Sequence, residues 1–437
     1  MKFGQFARSA VLMFLALRAG DAVSLVAGMW FVPKYVSPAD IGAVLPLTSF
    51  ATFLSLPVFA FAMSASAETA RLAASGERGR VKSLLSGVFL CAAAATAVAA
   101  VAGAVVLPRF LVSMRVADVS AGCLAAAAAF LGCAAPVCTD ALQALKRFRA
   151  LAAVEFFGSV VRFAVMAVLM PVRALAGYFA GQAALPAFRI AASLFALKRD
   201  LAEPAAPYWN RAAVARAAKS FFAVLAYLAA PMFASLVEQS VLRAHCSAED
   251  SAGYYMVSRF SDLLNYMTFP LLLVMFPYTA AAAEKGGDTR PYVAKCAIAT
   301  MVAAAILAVV CFFAGERLLA LMPNGARYAG YVRYMPALVA VSALTACQVF
   351  WTNAEVSAGR FGFLKWLLPL HIVYPAALWA AAESGALTGV GDAILWFAAA
   401  ATLRFAFSAV QAATHSRSEL DSKHIDTMKR RLFLEKS

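Results

Sequence analysis

Apolar runs of about 20 residues recur along almost the whole of this 437-residue chain, and that recurrence leaves few folds open. At 1.5 Å of rise per helical residue, each run is long enough to cross a hydrocarbon core of roughly 30 Å. Hydrophobic residues make up 63% of the chain and charged residues 14%, against about 45–50% and about 25% in soluble globular domains. The sequence therefore predicts an all-α polytopic membrane protein with no room for a soluble domain.

Twelve spans are read, at about 10–33, 39–63, 83–107, 119–142, 151–170, 174–197, 220–243, 253–280, 296–314, 334–356, 366–382 and 390–414. The start, the tail and the loops after even-numbered spans hold 25 Lys and Arg, against 7 in the loops after odd-numbered spans. By the positive-inside rule both termini face the cytoplasm. The net charge of +15 is then a matter of topology beside an anionic leaflet, and no nucleic-acid partner is needed to explain it. The opening "MKFGQFARSAVLMFLAL" has no small-residue cleavage site after it and reads as an uncleaved first span. The eight cysteines fall in apolar runs without metal-type spacing and read as buried small hydrophobes.

The chain also repeats itself. "SPADIGAVLPLTSF" at 37 and "SAEDSAGYYMVSRF" at 247 stand 210 positions apart, "QALKRFRAL" at 143 and "VSAGRFGFL" at 356 stand 213 apart, and Pro57 and Pro270 share the latter offset. An even number of spans per half makes the halves parallel, related by an axis along the membrane normal, which is one route to alternating access. The predicted organisation is an N-terminal six-helix lobe at 1–197, a cytoplasmic linker at 198–219, a C-terminal six-helix lobe at 220–414 and a basic cytoplasmic tail at 415–437.

Ionisable residues inside the spans are the only site chemistry on offer, since a charge at the centre of a spanning helix costs about 2.5–3.5 kcal/mol on insertion scales. Six arginines lie there: Arg18, Arg162, Arg189, Arg243, Arg259 and Arg404. Set against the carboxylates Asp21, Glu238 and Asp262, they leave an expected surplus of three positive charges. Arg18 with Asp21 and Arg259 with Asp262 share the i, i+3 spacing that puts both groups on one helix face. Each pair either locks a helix by neutralising itself or serves a site. Arginine suits a diphosphate because its planar fork stays charged and donates paired hydrogen bonds to phosphate oxygens, whereas a drug-cation transporter wants carboxylates in the majority. Arg243, near the end of span 7, has the stem length to snorkel to the interface. His371 reads as a hydrogen-bonded structural residue. Pro57, Pro270 and Pro277 are the candidate hinges, because proline removes a helix bond and clashes with the preceding turn. No HExxH, phosphate-cradling glycine loop or CxxC is present, so neither an enzyme, nor a cofactor, nor a metal site is expected.

The basic start leading into span 1, "FVPKYVSPADIGAVLPLTSF" opening span 2, and "QALKRFRALAAVEFFGSVVRF" after span 4 resemble the polysaccharide transporter family of O-antigen and capsule-type flippases. That family belongs to the multidrug/oligosaccharidyl-lipid/polysaccharide exporter (MOP) superfamily. The resemblance implies two six-helix lobes around a central cationic cavity bordered by spans 1, 2, 7 and 8. It also implies a polyprenyl-diphosphate-linked oligosaccharide moved from the inner to the outer leaflet. Arg18, Arg162, Arg189, Arg259 and Arg404 are then the candidate diphosphate ligands, and Asp21, Glu238 and Asp262 orient them or couple H+ or Na+. Glycan-assembly membrane proteins are the expected partners besides the bilayer and the lipid-linked substrate. The alternatives are a lipid II-type flippase, a multidrug/ion antiporter of the same superfamily, and a non-transporting membrane subunit of an envelope polysaccharide assembly.

Overall fold

The computed structural model describes residues 19–411 except 21, 24, 75, 146, 199–201, 203, 285, 286, 358 and 359. Among the described residues it is all-α, with twelve helices: α1 (19–35, without 21 and 24), α2 (38–74), α3 (Arg78–Ser113), α4 (Val119–Ala144), α5 and α6 (148–172 and 175–197), α7 (Arg211–His245), α8 (Ala248–Glu284), α9 (Arg290–Ala320), α10 (Met335–Ser357), α11 (Leu364–Glu383) and α12 (Val390–Gln411). Among the described residues seven continuous helices are long and apolar enough to cross a membrane, and the bent α2 makes an eighth. The 50-residue run Phe148–Leu197 counts there as one, although it breaks at Arg173 and Ala174, where Ala174 has φ +33°. Pro171 stands just before the break and lacks the N–H that would continue the ladder.

The α2 helix bends by 57° at Ser55, two residues before Pro57. Pro57 lacks the N–H that would reach the Phe53 carbonyl, and Ser55 Oγ donates to the Thr52 carbonyl at 2.9 Å. α8, in contrast, runs unbroken through both Pro270 and Pro277. The two repeated motifs fold alike. Ser37 Oγ accepts from the Asp40 N–H at 3.2 Å and donates to Asp40 Oδ2 at 2.7 Å; Ser247 does the same with Asp250 at 2.9 and 2.7 Å. Each serine is an N-cap that satisfies one otherwise orphaned helix-start donor and is itself held by the aspartate, one opening α2 and the other α8.

The described residues cluster into two compact units. The first takes Met1–Arg259, Glu316–Tyr331 and His371–Val390, and its core packs Leu72, Leu84, Leu142, Leu151 and Leu197 from α2 to α6. The alanine-rich α4 lets its neighbours approach closely, as small residues do where apolar lipid gives helices no hydrophobic drive to associate. Within this unit the turns that follow odd-numbered helices are bonded to one another. Arg243, 2% exposed, donates to the carbonyls of Met114 and Arg115 at 2.8 and 3.4 Å, and Arg115 donates back to the Ala244 carbonyl at 2.9 Å. Asn324 donates to the Pro33 carbonyl at 2.8 Å, Arg327 pairs with Glu249 at 3.1 Å, and the Tyr331 hydroxyl donates to Asp250 at 2.8 Å.

The linker before α7 is strapped to α2 and α3. The Ala206 N–H donates to the Gly79 carbonyl at 3.1 Å, Tyr208 donates to Glu68 at 2.8 Å and the Trp209 indole to the Ser83 carbonyl at 3.0 Å. Gly87 is required by that strap, because a Cβ there would stand 2.2 Å from the Trp209 indole nitrogen. The second unit takes Phe260–Gly315, Val332–Leu370 and Gly391–Ser437, with Met275, Phe350 and Ala354 at one core.

Candidate functional site

The first unit holds arginines from α5 and α8 against α1, with a third, on α6, paired to α5. α5 carries Glu155, Ser159 and Arg162 at i, i+4 and i+7, a single helix face. Arg162 is 5% exposed and donates to the Gly20 carbonyl at 3.3 Å. The crossing is close, since a Cβ on Gly20 would meet Ser159 Oγ at 2.7 Å and turn that hydroxyl aside. The buried Glu155 accepts from Arg189 of α6 at 2.5 Å, an ion pair that ties α5 to α6 across the break at Ala174. Farther along α1, the hydroxyl of Tyr255 from α8 donates to the Gly28 carbonyl at 3.2 Å. Arg259, one helical turn on, lies over the Tyr255 ring at 4.5 Å from its centroid, a cation–π arrangement.

Gly28 belongs to a π-turn at Ala27–Phe31, a local widening of the helix that recurs at functional sites. The turn ends at Phe31, whose ring stands edge-on to Phe163 of α5 at 5.2 Å. Gly20 and Gly28 are roughly 12 Å apart along α1 at 1.5 Å per residue. Arg162 and Arg259 thus mark two levels of one helix, and both guanidinium groups are oriented by this chain's own carbonyl or ring. A planar cation held so can meet a phosphate with little further ordering.

The other expected site residues fall as follows. Arg18 and Asp21 lie outside the described residues. Glu238 on α7 and Asp262 on α8 are partly buried, and Asp262 belongs to the second unit. Arg404 of α12, also in the second unit, is buried and donates to the Ala400 carbonyl of its own helix at 3.2 Å. His371 is buried on α11. Arg243 is clasped by the α3–α4 turn rather than extended to the interface.

One expectation needs correcting. The surplus of three intramembrane cations does not survive, because the predicted spans also contain Asp40, Asp140, Glu155, Glu355 and Asp392. Glu155 and Glu355 are buried and paired, the latter with Arg360 at 3.2 Å. All five stand within about a turn of a predicted span end, where a carboxylate passes for an interfacial one. The signal that finds Glu155 is its shared face with Ser159 and Arg162.

No family profile and no curated protein matches the sequence. Solved structures do. The chain superposes on an inward-facing multidrug resistance MATE family transporter of the MOP superfamily with TM-score 0.64 and 14% identity, over 93% of this chain and 99% of that one. It superposes on the lipid II flippase MurJ in an inward closed conformation with TM-score 0.65 and 11% identity, over 93% and 87%. The fold is that of the MOP-superfamily transporters. A MOP transporter from Pyrococcus furiosus, described as having a binding pocket of reversed polarity, matches with TM-score 0.59 and 14% identity over 93% and 95%.

Proposed function

We propose that the chain is a flippase that moves a polyprenyl-diphosphate-linked oligosaccharide from the inner to the outer leaflet of a bacterial cytoplasmic membrane. The lobes 1–197 and 220–414 alternate access, and the linker 198–219 joins them on the cytoplasmic side, where both termini lie. The observation that carries this reading is the gathering of Arg162 and Arg259 on α1, each held by a neighbouring carbonyl or ring. In this account Arg162, Arg189, Arg259, Arg404 and Arg18 bind the diphosphate, the sugars occupy an aqueous cavity, and the polyprenyl chain stays in lipid. An inside-negative potential assists, by about 2.3 kcal/mol per charge per 100 mV, the outward movement of an anion. Asp21, Glu238 and Asp262 orient the arginines or couple H+ or Na+, and Pro57, Pro270 and Pro277 serve as hinges.

The test is binding of a polyprenyl diphosphate to the purified protein. Arg259→Ala weakens it about tenfold, the factor that corresponds to 1.4 kcal/mol, and Arg259→Lys does not restore it, because an ammonium lacks the planar fork. Unchanged affinity in both variants refutes the reading. A multidrug antiporter is the second reading, favoured by the buried carboxylate of Glu155. It requires efflux of a cationic dye that Glu155→Gln abolishes.

A further inference from the structure

The second unit contains a cavity of about 210 Å³ at the ends of its helices, well apart in the chain from the arginines about α1. It lies between the turn that opens α9, with Asp288, Thr289 and Arg290, and the end of α10, with Trp351 and Glu355, and is closed by Arg360 before α11. Two oppositely charged pairs face it: Arg290 with Asp288 at 3.4 Å and Arg360 with Glu355 at 3.2 Å. Trp351 forms an aromatic wall, buttressed edge-on by Phe363 at 5.6 Å.

The internal repeat sharpens what this corner is. The same corner of the first half, the start of α3, carries the ion pair of Glu77 with Arg80, and there the chain's own linker covers it, the Ala206 N–H on the Gly79 carbonyl and Trp209 in the notch at Gly87. In the second half the equivalent corner is a cavity whose described lining includes two cations, two anions and an indole. It stands where spans end, at the depth of lipid headgroups.

We infer that this corner binds a headgroup carrying both a phosphate and a primary ammonium, that of a phosphoethanolamine lipid. The phosphate meets Arg290 and Arg360, whose forks suit its oxygens. The ammonium meets Glu355 and Asp288 with its three donors and lies against the face of Trp351. A trimethylated headgroup has no N–H for those carboxylates, and an uncharged one has no cation, so the charge balance of the corner selects between headgroups.

The experiment is native mass spectrometry of the purified full-length protein in detergent, titrated with phosphatidylethanolamine, phosphatidylcholine and phosphatidylglycerol of identical acyl chains. The inference predicts retention of phosphatidylethanolamine at least about fivefold above both others. Arg290→Gln with Arg360→Gln brings it down to the level of the others, and Glu355→Gln removes its advantage over phosphatidylglycerol. Arg290→Gln alone, at a side chain 44% exposed, gives a partial loss even where the double variant does not fold. Soluble phosphoethanolamine displaces the lipid only at far higher concentration. Equal retention of the three lipids, or preference unchanged in the arginine variants, overturns the inference; so does soluble phosphoethanolamine binding as tightly as the lipid, which assigns the corner to a soluble ligand. A variant ending at residue 411 keeps the preference, and its loss there overturns the assignment to the corner residues alone. None of these readouts depends on transport of a lipid-linked glycan.

Discussion

Replacing Arg243 by methionine removes a clasp while keeping its apolar stem. Arg243 is 2% exposed, and its guanidinium donates to the carbonyls of Met114 and Arg115, the last acceptors of α3 and the turn after it. A hydrogen bond from a charged donor contributes about 1.5–3 kcal/mol, and losing it leaves a buried carbonyl unsatisfied. The 2.8 Å bond takes the upper part of that range and the 3.4 Å bond falls below it. A cation at a helix C-terminus adds about 0.3–1 kcal/mol. The sum is about 3 kcal/mol, a fall of several degrees in Tm for a cooperative unit of this size. Thermal unfolding in detergent, followed by tryptophan fluorescence, reads it. Arg115→Ala removes only the exposed return bond to Ala244 and costs about 0.5–1 kcal/mol. A methionine variant that melts with the parent, or no lower than Arg115→Ala, refutes the clasp.

Further expectations concern local sites. Arg115 has φ +53° at the position after α3 where glycine usually stands, so Arg115→Gly melts above Arg115→Ala by about 1 kcal/mol, measured in the same unfolding assay. Ser247→Ala removes the α8 cap and costs about 1 kcal/mol, and Ser37→Ala at the repeated position costs a similar amount. Glu155→Gln leaves Arg189 without its anion in a half-buried site and destabilises by about 3 kcal/mol, while Glu155→Gln with Arg189→Met recovers most of it, a double-mutant cycle that reports their coupling. Trp209→Ala frees the linker from α3, and limited proteolysis then cuts between 204 and 210 faster than in the parent.

What was legible in the sequence was local chemistry. The serines at 37 and 247 precede an aspartate by three positions, a pattern that closes on itself within one turn, so repeat and cap are visible without knowing the fold. The break between α5 and α6 at Arg173 and Ala174 falls at the join of the spans predicted at 151–170 and 174–197. The pairing of Glu155 with Arg189 was not legible, since it depends on two helices folding back across that break. Nor was the clasp of Arg243 on a turn 129 positions earlier, where a long basic side chain near a span end reads equally well as an interfacial anchor. The cavity at Arg290 and Arg360 joins two turns that the sequence shows only as short charged loops.

The central claim is transport of an anionic lipid-linked glycan through the arginines that α5 and α8 hold against α1, and the direct measurement is flipping in proteoliposomes. Purified protein is reconstituted with a fluorescent polyprenyl-diphosphate oligosaccharide, and the fraction accessible to an impermeant quencher is followed over time with and without an inside-negative potential. The account predicts protein-dependent flipping that the potential accelerates, that falls at least about tenfold in Arg259→Ala and in Arg162→Gln, and that persists in Arg290→Gln. Parent-level flipping in both the Arg259 and the Arg162 variants, each folded and correctly inserted, contradicts it.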